Sequence, residues 1–541
     1  GLLKNKKTLI LLTFKPKNDI INAKKFSFLA KILTFGADEM YKMSNPQKTL
    51  FTMFDLSKIV IENSNNRWVI LSKIIPWEKL EERYARNFKP KGGRLAKSFR
   101  IALGSLIIKE RMNLSDEETV NQIMENPFLQ YFLGMGTFQY EKPFNSSMMT
   151  HFRQRLSRNF INEVNEFLID EEVKKSLKSK DEDENNDDTP NKSDDFLNSE
   201  ESTSTKNKGE LMLDATCCPS DVKFPTDVSL LNEALERTHK MIDICHSFAE
   251  KSIKKPRTDR GQLRQIFLNI SKAKRNSNKK IKKAIKTQLT ALRNSIKSIV
   301  ELYTNVGLKE NHLKELEIIK KVYEQQLEMF KENKKSVKYR ILSISKSFIR
   351  PIQRGKARAS TEFGAKLEVM LINGFSYVNN LFWDNYNEGT YLIESVEKYK
   401  EKFGFYPEAV LVDRLYRNKI NIKYCKERGI RISGPRLGRP TETSKREDKI
   451  LAYEDSCKRN AVEGVFGVCK RKYGMNKIMS KLKETSETEI SLQVLVMNLG
   501  TLLKRVFLQI FQILKNTEKK EIKKVLISIF MILNIYIMKI K

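Results

Sequence analysis

The chain has 541 residues, 40% of them hydrophobic, which is enough for several folded domains and excludes a chain that is disordered throughout. Its 100 Lys and Arg residues outnumber 66 Asp and Glu, and the formal net charge of +34 indicates a polyanionic partner such as nucleic acid, unless the whole proteome is lysine-rich. Six cysteines without CxxC spacing exclude a disulfide scaffold and argue against a zinc site, and four histidines offer little material for histidine-based catalysis.

The N-terminal part is predicted to be an extension followed by an all-α domain. Residues 1–42 are weakly patterned, and the folded protein is expected to begin near Met43 or Met53. No small-residue cleavage site follows their apolar stretch, so a secretion signal is not expected. Residues 43–176 are interpreted as the helical domain, with Ser115 as the N-cap of one helix. Closely spaced apolar residues predict a buried helix containing Ile101, Leu103, Leu106, Ile107 and Ile108.

A basic helix is predicted near the end of this domain, where Ser146 or Ser147 follows the loop at Pro143. Its arginines are candidates for contact with a nucleic-acid backbone, and an ordinary solvated helix face has the same pattern. They are Arg153, Arg155 and the neighbouring Arg158.

The middle of the chain is predicted to hold an acidic linker and a helical insertion. Residues 177–208 are too hydrophilic to order themselves and are interpreted as a disordered linker. Within the lysine-rich segment 246–337, apolar residues recur at heptad spacing and predict a helical hairpin that packs on itself, dimerises or grips nucleic acid. The first of its helices has Ile285, Leu289, Leu292, Ile296, Ile299 and Tyr303 on one side.

The remaining segments, 209–245 and 338–505, alternate between strand and helix patterns and predict a mixed α/β sheet. Strands are expected at 211–214, 340–345, 365–374, 409–413 and 430–433, and a helix over 390–403 ends at Gly404. Residues 506–541 form a basic and apolar tail. Its apolar run, 525–538, is shorter than the roughly 20 residues that span a bilayer, so no membrane partner is expected.

Three carboxylates are candidates for a metal site. Asp214 and Asp413 each close a short apolar run, and Glu463 lies in a helical stretch. Mg²⁺ prefers carboxylate and water ligands, and an aspartate at a strand end is held rigidly above the sheet. Two such ions can serve both ends of a phosphodiester displacement. Four other acids compete for this role, but none of them closes an apolar strand: Asp221, Asp227, Asp384 and Asp455.

Basic residues near these carboxylates are candidates for contact with phosphate. Arg459 and Lys470 share one helix face with Glu463, an arrangement that suits a phosphate clamp and equally an ordinary ion-pair stripe. A basic stretch and a Gly/Pro loop add further candidates, for which exposed-loop charge is the alternative. The candidates are Arg350, Arg354, Lys356 and Arg358 in the stretch and Arg436 and Arg439 in the loop.

Several blocks, in order, resemble bacterial insertion-sequence transposases of the DDE type. The catalytic blocks are Leu-Met-Leu-Asp at 211–214, Val-Asp-Arg-Leu-Tyr at 412–416, and the helix from Arg459 to Gly474; the helical block at 53–165 resembles the N-terminal domain of that family. Of the family signature Tyr-x2-Arg-x3-Glu-x6-Lys, the chain has Arg459, Glu463 and Lys470, whereas Ser456 stands at the tyrosine position and Tyr453 lies one turn earlier.

The resemblance implies an RNase H-like catalytic domain interrupted by the 246–337 hairpin, after an N-terminal DNA-binding domain. It implies Asp214, Asp413 and Glu463 as the DDE triad, which would hold two Mg²⁺ or Mn²⁺ ions. The implied partners are double-stranded DNA of the element ends and of the target, with a homodimer acting in the bacterial cytoplasm. Two alternatives stay open: a metal-dependent nuclease without strand transfer, and an inactive DNA-binding relic.

Overall fold

A computed structural model of the chain describes residues 65–86, 88, 95–184, 206–249, 253–303, 308–356, 359–434 and 442–516. The predicted extension 1–42, most of the predicted linker and the end of the tail lie outside the described residues. The chain divides into two compact units. Within the described residues, the smaller unit holds the part from Trp77 to Phe99, and the larger unit holds 65–76 and everything from Arg100 onward.

The N-terminal region is helical, as its pattern predicts. In the smaller unit, the ring of Phe99 contacts Trp77 and Tyr84, with ring centroids 6.1 and 5.4 Å apart. In the larger unit, Ser115 caps a helix by accepting a hydrogen bond from the Glu118 N–H at 3.1 Å, which confirms the predicted N-cap. The helices are α1 (Arg67–Ile74), α2 (Trp77–Ala85), α3 (Phe99–Met112), α4 (Asp116–Glu125), α5 (Pro127–Phe132), α6 (Met148–Arg155) and α7 (Arg158–Glu184).

Helix α7 continues past residue 177, where the composition predicts the linker to begin, and ends at Glu184. Its buried side explains the first part of this extension, because Val173 and Leu177 are both covered by the protein. The acidic residues that follow are compatible with a helix, so hydrophilic composition alone does not mark its end.

The sheet is mixed, which confirms the predicted α/β class at that level. In spatial order the strands run β2, β3, β1, β5, β6, and β4 pairs with β3. The β1–β5 and β5–β6 pairs are parallel, and the other pairs are antiparallel. The strands are β1 (Glu210–Pro219), β2 (Arg350–Lys356), β3 (Ala359–Ile372), β4 (Phe375–Phe382), β5 (Ala409–Leu411) and β6 (Arg431–Ile432).

Between β1 and β2 the chain forms four helices with a shared apolar core. The predicted heptad residues Leu289, Leu292 and Ile299 are buried there, together with Leu316 and Ile319 of the next helix. The insertion is therefore more than the predicted hairpin, since a further helix precedes it and the helix after β1 supplies part of the core. The helices are α8 (Asp227–Phe248), α9 (Arg260–Ser271), α10 (Asn278–Tyr303) and α11 (Glu310–Lys331).

The predicted strand at 340–345 is wrong, because this segment forms turns and irregular backbone. Its apolar residues Ile341 and Ile344 are buried against the inserted helices, and the Ile341 N–H donates to Oε1 of Gln325 at 2.9 Å. An alternating apolar pattern can thus arise from packing on helices as well as from a sheet.

After β4, helices alternate with the last two strands and then close the fold. The first of them ends at Gly404 with a positive φ of 87°, as predicted for this glycine. Two 3₁₀ turns, Glu388–Thr390 and Arg414–Tyr416, lie beside these elements. The helices are α12 (Leu392–Phe403), α13 (Lys419–Glu427), α14 (Glu442–Lys472) and α15 (Lys483–Asn516).

Helix α15 is long and apolar enough to cross a membrane by length and composition over Lys483–Phe511, and 44% of its most apolar window is buried inside the protein. It also has buried polar side chains with partners in the fold. Asn498 donates to Oδ1 of Asn165 on α7 at 2.8 Å and accepts from the Ser376 N–H on β4 at 2.9 Å. These hydrogen bonds join α7, β4 and α15, as expected of a core helix of a globular domain.

Candidate active site

The register of two parallel strands brings Asp214 and Asp413 together. Met212 of β1 pairs with Leu411 of β5, and each aspartate follows its paired residue by two positions. Neighbouring strands lie about 4.8 Å apart. The charge of Asp413 acts on the Asp214 carboxylate, so the two side chains lie within electrostatic reach of each other. The predicted convergence of these two residues is therefore supported by the strand pairing.

The local setting of the two aspartates differs. Asp214 lies inside β1, which continues to Pro219 through its pairing with β3, so the expectation that Asp214 ends a strand is corrected. Asp413 follows the end of β5, where the Ser433 hydroxyl accepts from the Val412 N–H at 2.8 Å. Asp413 then caps the 3₁₀ turn Arg414–Tyr416 by accepting from the Arg414 N–H at 2.7 Å, and half of its side chain is exposed.

The electrostatic setting of Asp214 is unusual for an aspartate. Burial raises the pKa of Asp214 to about 6, opposed by a hydrogen bond from the Ala215 N–H. The charge of Glu388 raises this pKa further, Arg459 lowers it and Asp413 raises it. Two further carboxylates and one guanidinium therefore lie within electrostatic reach. A divalent cation at this position would relieve the repulsion between the carboxylates.

Helix α14 carries the third predicted carboxylate. A guanidinium nitrogen of Arg459 lies 3.8 Å from Oδ1 of Asp413, which fixes this turn of the helix beside the aspartates. Glu463 follows one turn later and is exposed. Among the described residues, no group of three or more His, Cys, Asp or Glu side chains is placed to hold a metal ion. Asp214 and Asp413 carry carboxylate oxygens, the ligand type that a divalent cation such as Mg²⁺ prefers. Glu463 is not grouped with them as a third ligand in this structure.

The competing acids are each engaged elsewhere. Asp455 is buried and forms a bidentate ion pair with Arg431, at 2.7 and 3.0 Å. The other three form ion pairs of their own: Asp221 with Lys477 at 3.2 Å, Asp227 with Arg340 at 2.5 Å, and Asp384 with Arg350 at 3.6 Å.

Two glutamates near Asp214 and Asp413 are not among the residues predicted from the sequence. Glu388 is mostly buried and forms an ion pair with Lys366 of β3 at 2.8 Å. Glu368 is fully buried and accepts hydrogen bonds from Asn379, Asn380 and Tyr416. Burial raises the pKa of Glu368, against these hydrogen bonds. A charged residue inside the apolar run of β3 is a readable signal for Glu368; nothing in the sequence marks Glu388.

The predicted DNA-contacting residues have varied settings. Arg153 is buried and donates to Asp116 through two guanidinium nitrogens, at 2.9 and 2.5 Å, whereas a DNA-backbone contact and its alternative, a solvated helix face, both require an exposed side chain. Arg155 is partly buried, and Arg350 donates to the backbone carbonyls of Ser347 and Ile349. Lys470 is partly buried on α14, within electrostatic reach of Cys217 on β1. The side chains of Arg354 and Lys356 and all of Arg358, Arg436 and Arg439 lie outside the described residues.

Comparison with known proteins gives a concordant result for two parts of the chain. Residues 410–500, which include Asp413 and Glu463, match a family model described as a transposase DDE domain. Residues 56–155 match a second model, described as a transposase domain of the DUF772 type.

An uncharacterized protein, ORF8 in the nfe locus of Rhizobium meliloti, is 36% identical to this chain over 104 residues, which is 19% of this chain and 50% of that protein. The chain thus spans half the length of this relative. No solved structure matches the chain significantly. Both matches are to transposase domains, in the order N-terminal domain then DDE domain, and they support an insertion-sequence transposase of the DDE type.

Proposed function

We propose that the protein binds the terminal inverted repeats of its own insertion sequence, cleaves the DNA at these ends and joins the freed 3′ ends to target DNA. The observation that carries the proposal is the parallel pairing of β1 with β5, in which Met212 pairs with Leu411 two residues before Asp214 and Asp413. Adjacent carboxylates on a rigid sheet suit metal-dependent phosphoryl transfer, and the chain's net charge of +34 suits a phosphodiester substrate.

The metal ligands in this proposal are Asp214, Asp413 and Glu463. Bound Mg²⁺ or Mn²⁺, two ions in all, would supply Lewis acidity for the attacking oxygen and for the departing 3′ oxygen. Asp214 is held within β1, and Asp413 caps the 3₁₀ turn that follows β5. Glu463 lies one helical turn after Arg459, and its side chain is exposed and has three rotatable bonds. Rotation of this side chain toward the two aspartates would complete the set of three metal ligands.

The basic residues of α14 have a positioning role in the same proposal. Arg459 interacts with both aspartates: it forms an ion pair with Asp413, and its charge lowers the pKa of Asp214. With cations bound to these carboxylates, the Arg459 guanidinium would be available to hold a phosphate oxygen. Lys470 lies three turns further along α14 and would contact the backbone of the same DNA.

The domain assignment extends the proposal to the whole chain. The N-terminal helical domain, predicted over 43–176, would recognise the element ends, the mixed sheet would be an RNase H-like core, and the segment between the end of α7 at Glu184 and β1 would join the two. Two ends must meet for transposition, so a homodimer in the cytoplasm is the expected active form.

Strand joining tests the complete proposal and separates it from a nuclease. Precut DNA ends with a free 3′-hydroxyl are incubated with a supercoiled target plasmid and Mg²⁺. Covalent joining of the labelled end to the plasmid is expected. Cleavage of uncut ends without any joined product would identify a nuclease, and end binding without cleavage would identify a DNA-binding relic.

A further inference from the structure

The inserted helices contain a long segment without acidic residues. Between Arg260 and Val300 there are twelve Lys and Arg residues and no Asp or Glu. Helix α11, in the same insertion, contains five glutamates alongside its lysines. The positive charge of the insertion is therefore concentrated on α9, α10 and the loop between them.

These basic side chains are exposed and largely uncompensated. Arg260 and Arg264 form ion pairs with Asp243 and Glu236 of α8, and Lys297 lies 3.7 Å from Glu301. For the other nine, no ion pair is found within the described part of the chain, and all nine are exposed. They are Lys272, Lys274, Arg275, Lys279, Lys280, Lys282, Lys283, Lys286 and Arg293.

Solubility alone does not account for this arrangement. Solvated helix faces usually pair charges of opposite sign four residues apart, as Lys314 and Glu310 do on α11 at 2.7 Å. On α10, the apolar side with Leu289 and Leu292 supplies the packing, and the exposed lysines only repel one another. Such clustered repulsion is relieved when a polyanion binds.

A groove runs between α9 and α10 on this basic surface. It has a volume of about 510 Å³ and is lined by Lys283 and Lys286, by the amides of Gln262 and Asn294, and by the hydroxyls of Thr287 and Thr290. Asp259 also lines the groove, but its carboxylate is paired with Arg257 at 2.7 Å. Ammonium and amide groups are donors that contact phosphate and sugar oxygens along a nucleic-acid backbone. The two hydroxyls donate to the helix carbonyls of Lys283 and Lys286, both at 3.0 Å, which leaves their oxygens as acceptors at the groove.

We propose that the α9–α10 face of the insertion binds the phosphate backbone of duplex DNA without reading its sequence. The proposal rests on the function proposed above, because transposition supplies duplex DNA as the polyanion. It deepens that function by assigning a substrate-binding surface outside the sheet and outside the helical domain. The face holds DNA through charge, so its contribution depends on salt and not on base sequence.

The test compares two triple variants of the full chain. Lys279→Gln/Lys283→Gln/Lys286→Gln changes the proposed face, and Lys314→Gln/Lys321→Gln/Lys331→Gln is the matched control on α11. All six lysines are exposed, and glutamine keeps helix propensity. Circular dichroism verifies that both variants fold.

Affinity for a random-sequence 30-base-pair duplex is measured by fluorescence anisotropy across a range of NaCl concentrations. The face variant is expected to reduce the slope of log affinity against log salt by about 2 to 3, since each lost phosphate contact accounts for about 0.9. The control variant is expected to change it by less than about 1. Equal slopes for the face variant and wild type would overturn the proposal.

Failure of the DNA-binding face and failure of the proposed function can be told apart. A wild-type protein that cleaves element ends, with a face variant whose salt slope is unchanged, removes this inference and leaves the transposase proposal intact. A wild-type protein that fails to cleave its ends, with the face variant weakened as expected, removes the proposed function and leaves the DNA-binding face intact. A face variant that loses affinity for anionic phospholipid vesicles but keeps its affinity for DNA would overturn the choice of partner.

Discussion

The guanidinium of Arg459 lies 3.8 Å from Oδ1 of Asp413, and in the same helix Glu463 follows one turn later. This ion pair links α14 to the strand end that carries one of the two sheet aspartates. The position of Glu463 relative to the aspartate pair therefore depends on how α14 is held. Several measurable consequences follow for the site, the fold and the substrate.

Glu463→Gln is expected to reduce the rate of end cleavage at least about a hundredfold, because it removes the charge of a metal ligand. The free energy of unfolding is expected to stay within about 0.5 kcal/mol of wild type, because the side chain is exposed. The control is Glu454→Gln, an exposed glutamate earlier in α14. Cleavage rates and urea unfolding are measured for both. Equal cleavage by the two variants would remove Glu463 from the ligand set.

Lys366→Met is expected to reduce the free energy of unfolding by about 3 kcal/mol, because it leaves the mostly buried Glu388 carboxylate without its cation. The double variant Lys366→Met/Glu388→Gln is expected to recover most of that loss, since the unpaired charge is then gone. Urea unfolding of the three proteins and of Glu388→Gln gives the coupling energy. Additive effects would show that the two side chains act independently.

Arg153→Ala is expected to reduce stability by about 3 kcal/mol and to leave the salt dependence of DNA binding unchanged, because its guanidinium is buried on Asp116. Anisotropy titrations at several salt concentrations, on protein shown to be folded, test the second part. A slope lower than wild type by about 1 would restore Arg153 as a phosphate contact.

The stability of the larger unit is expected to fall in mild acid through His239. Burial lowers the pKa of this histidine to about 4, and Nε2 has no hydrogen-bond partner in the described structure. The unfolded state, with a pKa near 6.5, binds the proton more readily, so the contribution is fully present above about pH 6.5 and is lost as pH falls toward 4. The loss is on the order of 2 to 3 kcal/mol.

Urea unfolding at pH 7 and pH 4.5 measures this effect, with His239→Leu and, as control, the exposed His151→Gln. His239→Leu is expected to flatten the pH dependence, whereas His151→Gln keeps it. A pH dependence that survives in His239→Leu would assign the effect to other groups.

The parts of the fold that the sequence predicts are those set by local chemistry. Ser115 caps α4 through its own hydroxyl, and Gly404 ends α12 because a positive φ suits glycine. The strand that precedes Asp413 and the helix around Glu463 are likewise readable from short-range patterns. In each case the deciding interaction lies within a few residues along the chain.

The remaining features depend on contacts distant in sequence. Residues 340–345 form irregular backbone because their apolar side chains meet the inserted helices. The β3–β4 hairpin is different, since it turns at Asn373 and Gly374, both with positive φ, and this Asn-Gly pair is a local signal that the predicted strand over 365–374 includes without a turn. The burial of Arg153 follows from Asp116, 37 residues earlier. The adjacency of Asp214 and Asp413 spans 199 positions along the chain and becomes visible only with the β1–β5 register.

The measurement that tests the central claim most directly is cleavage of labelled DNA bearing the ends of the element that encodes this protein. It is run with Mg²⁺ or Mn²⁺, for wild type and for Asp413→Asn, with end binding measured in parallel. Wild type is expected to nick the 3′ ends of the element, and Asp413→Asn is expected to bind the ends without nicking them. Nicking by Asp413→Asn at the wild-type rate, or end binding by wild type without any nicking, would contradict the claim.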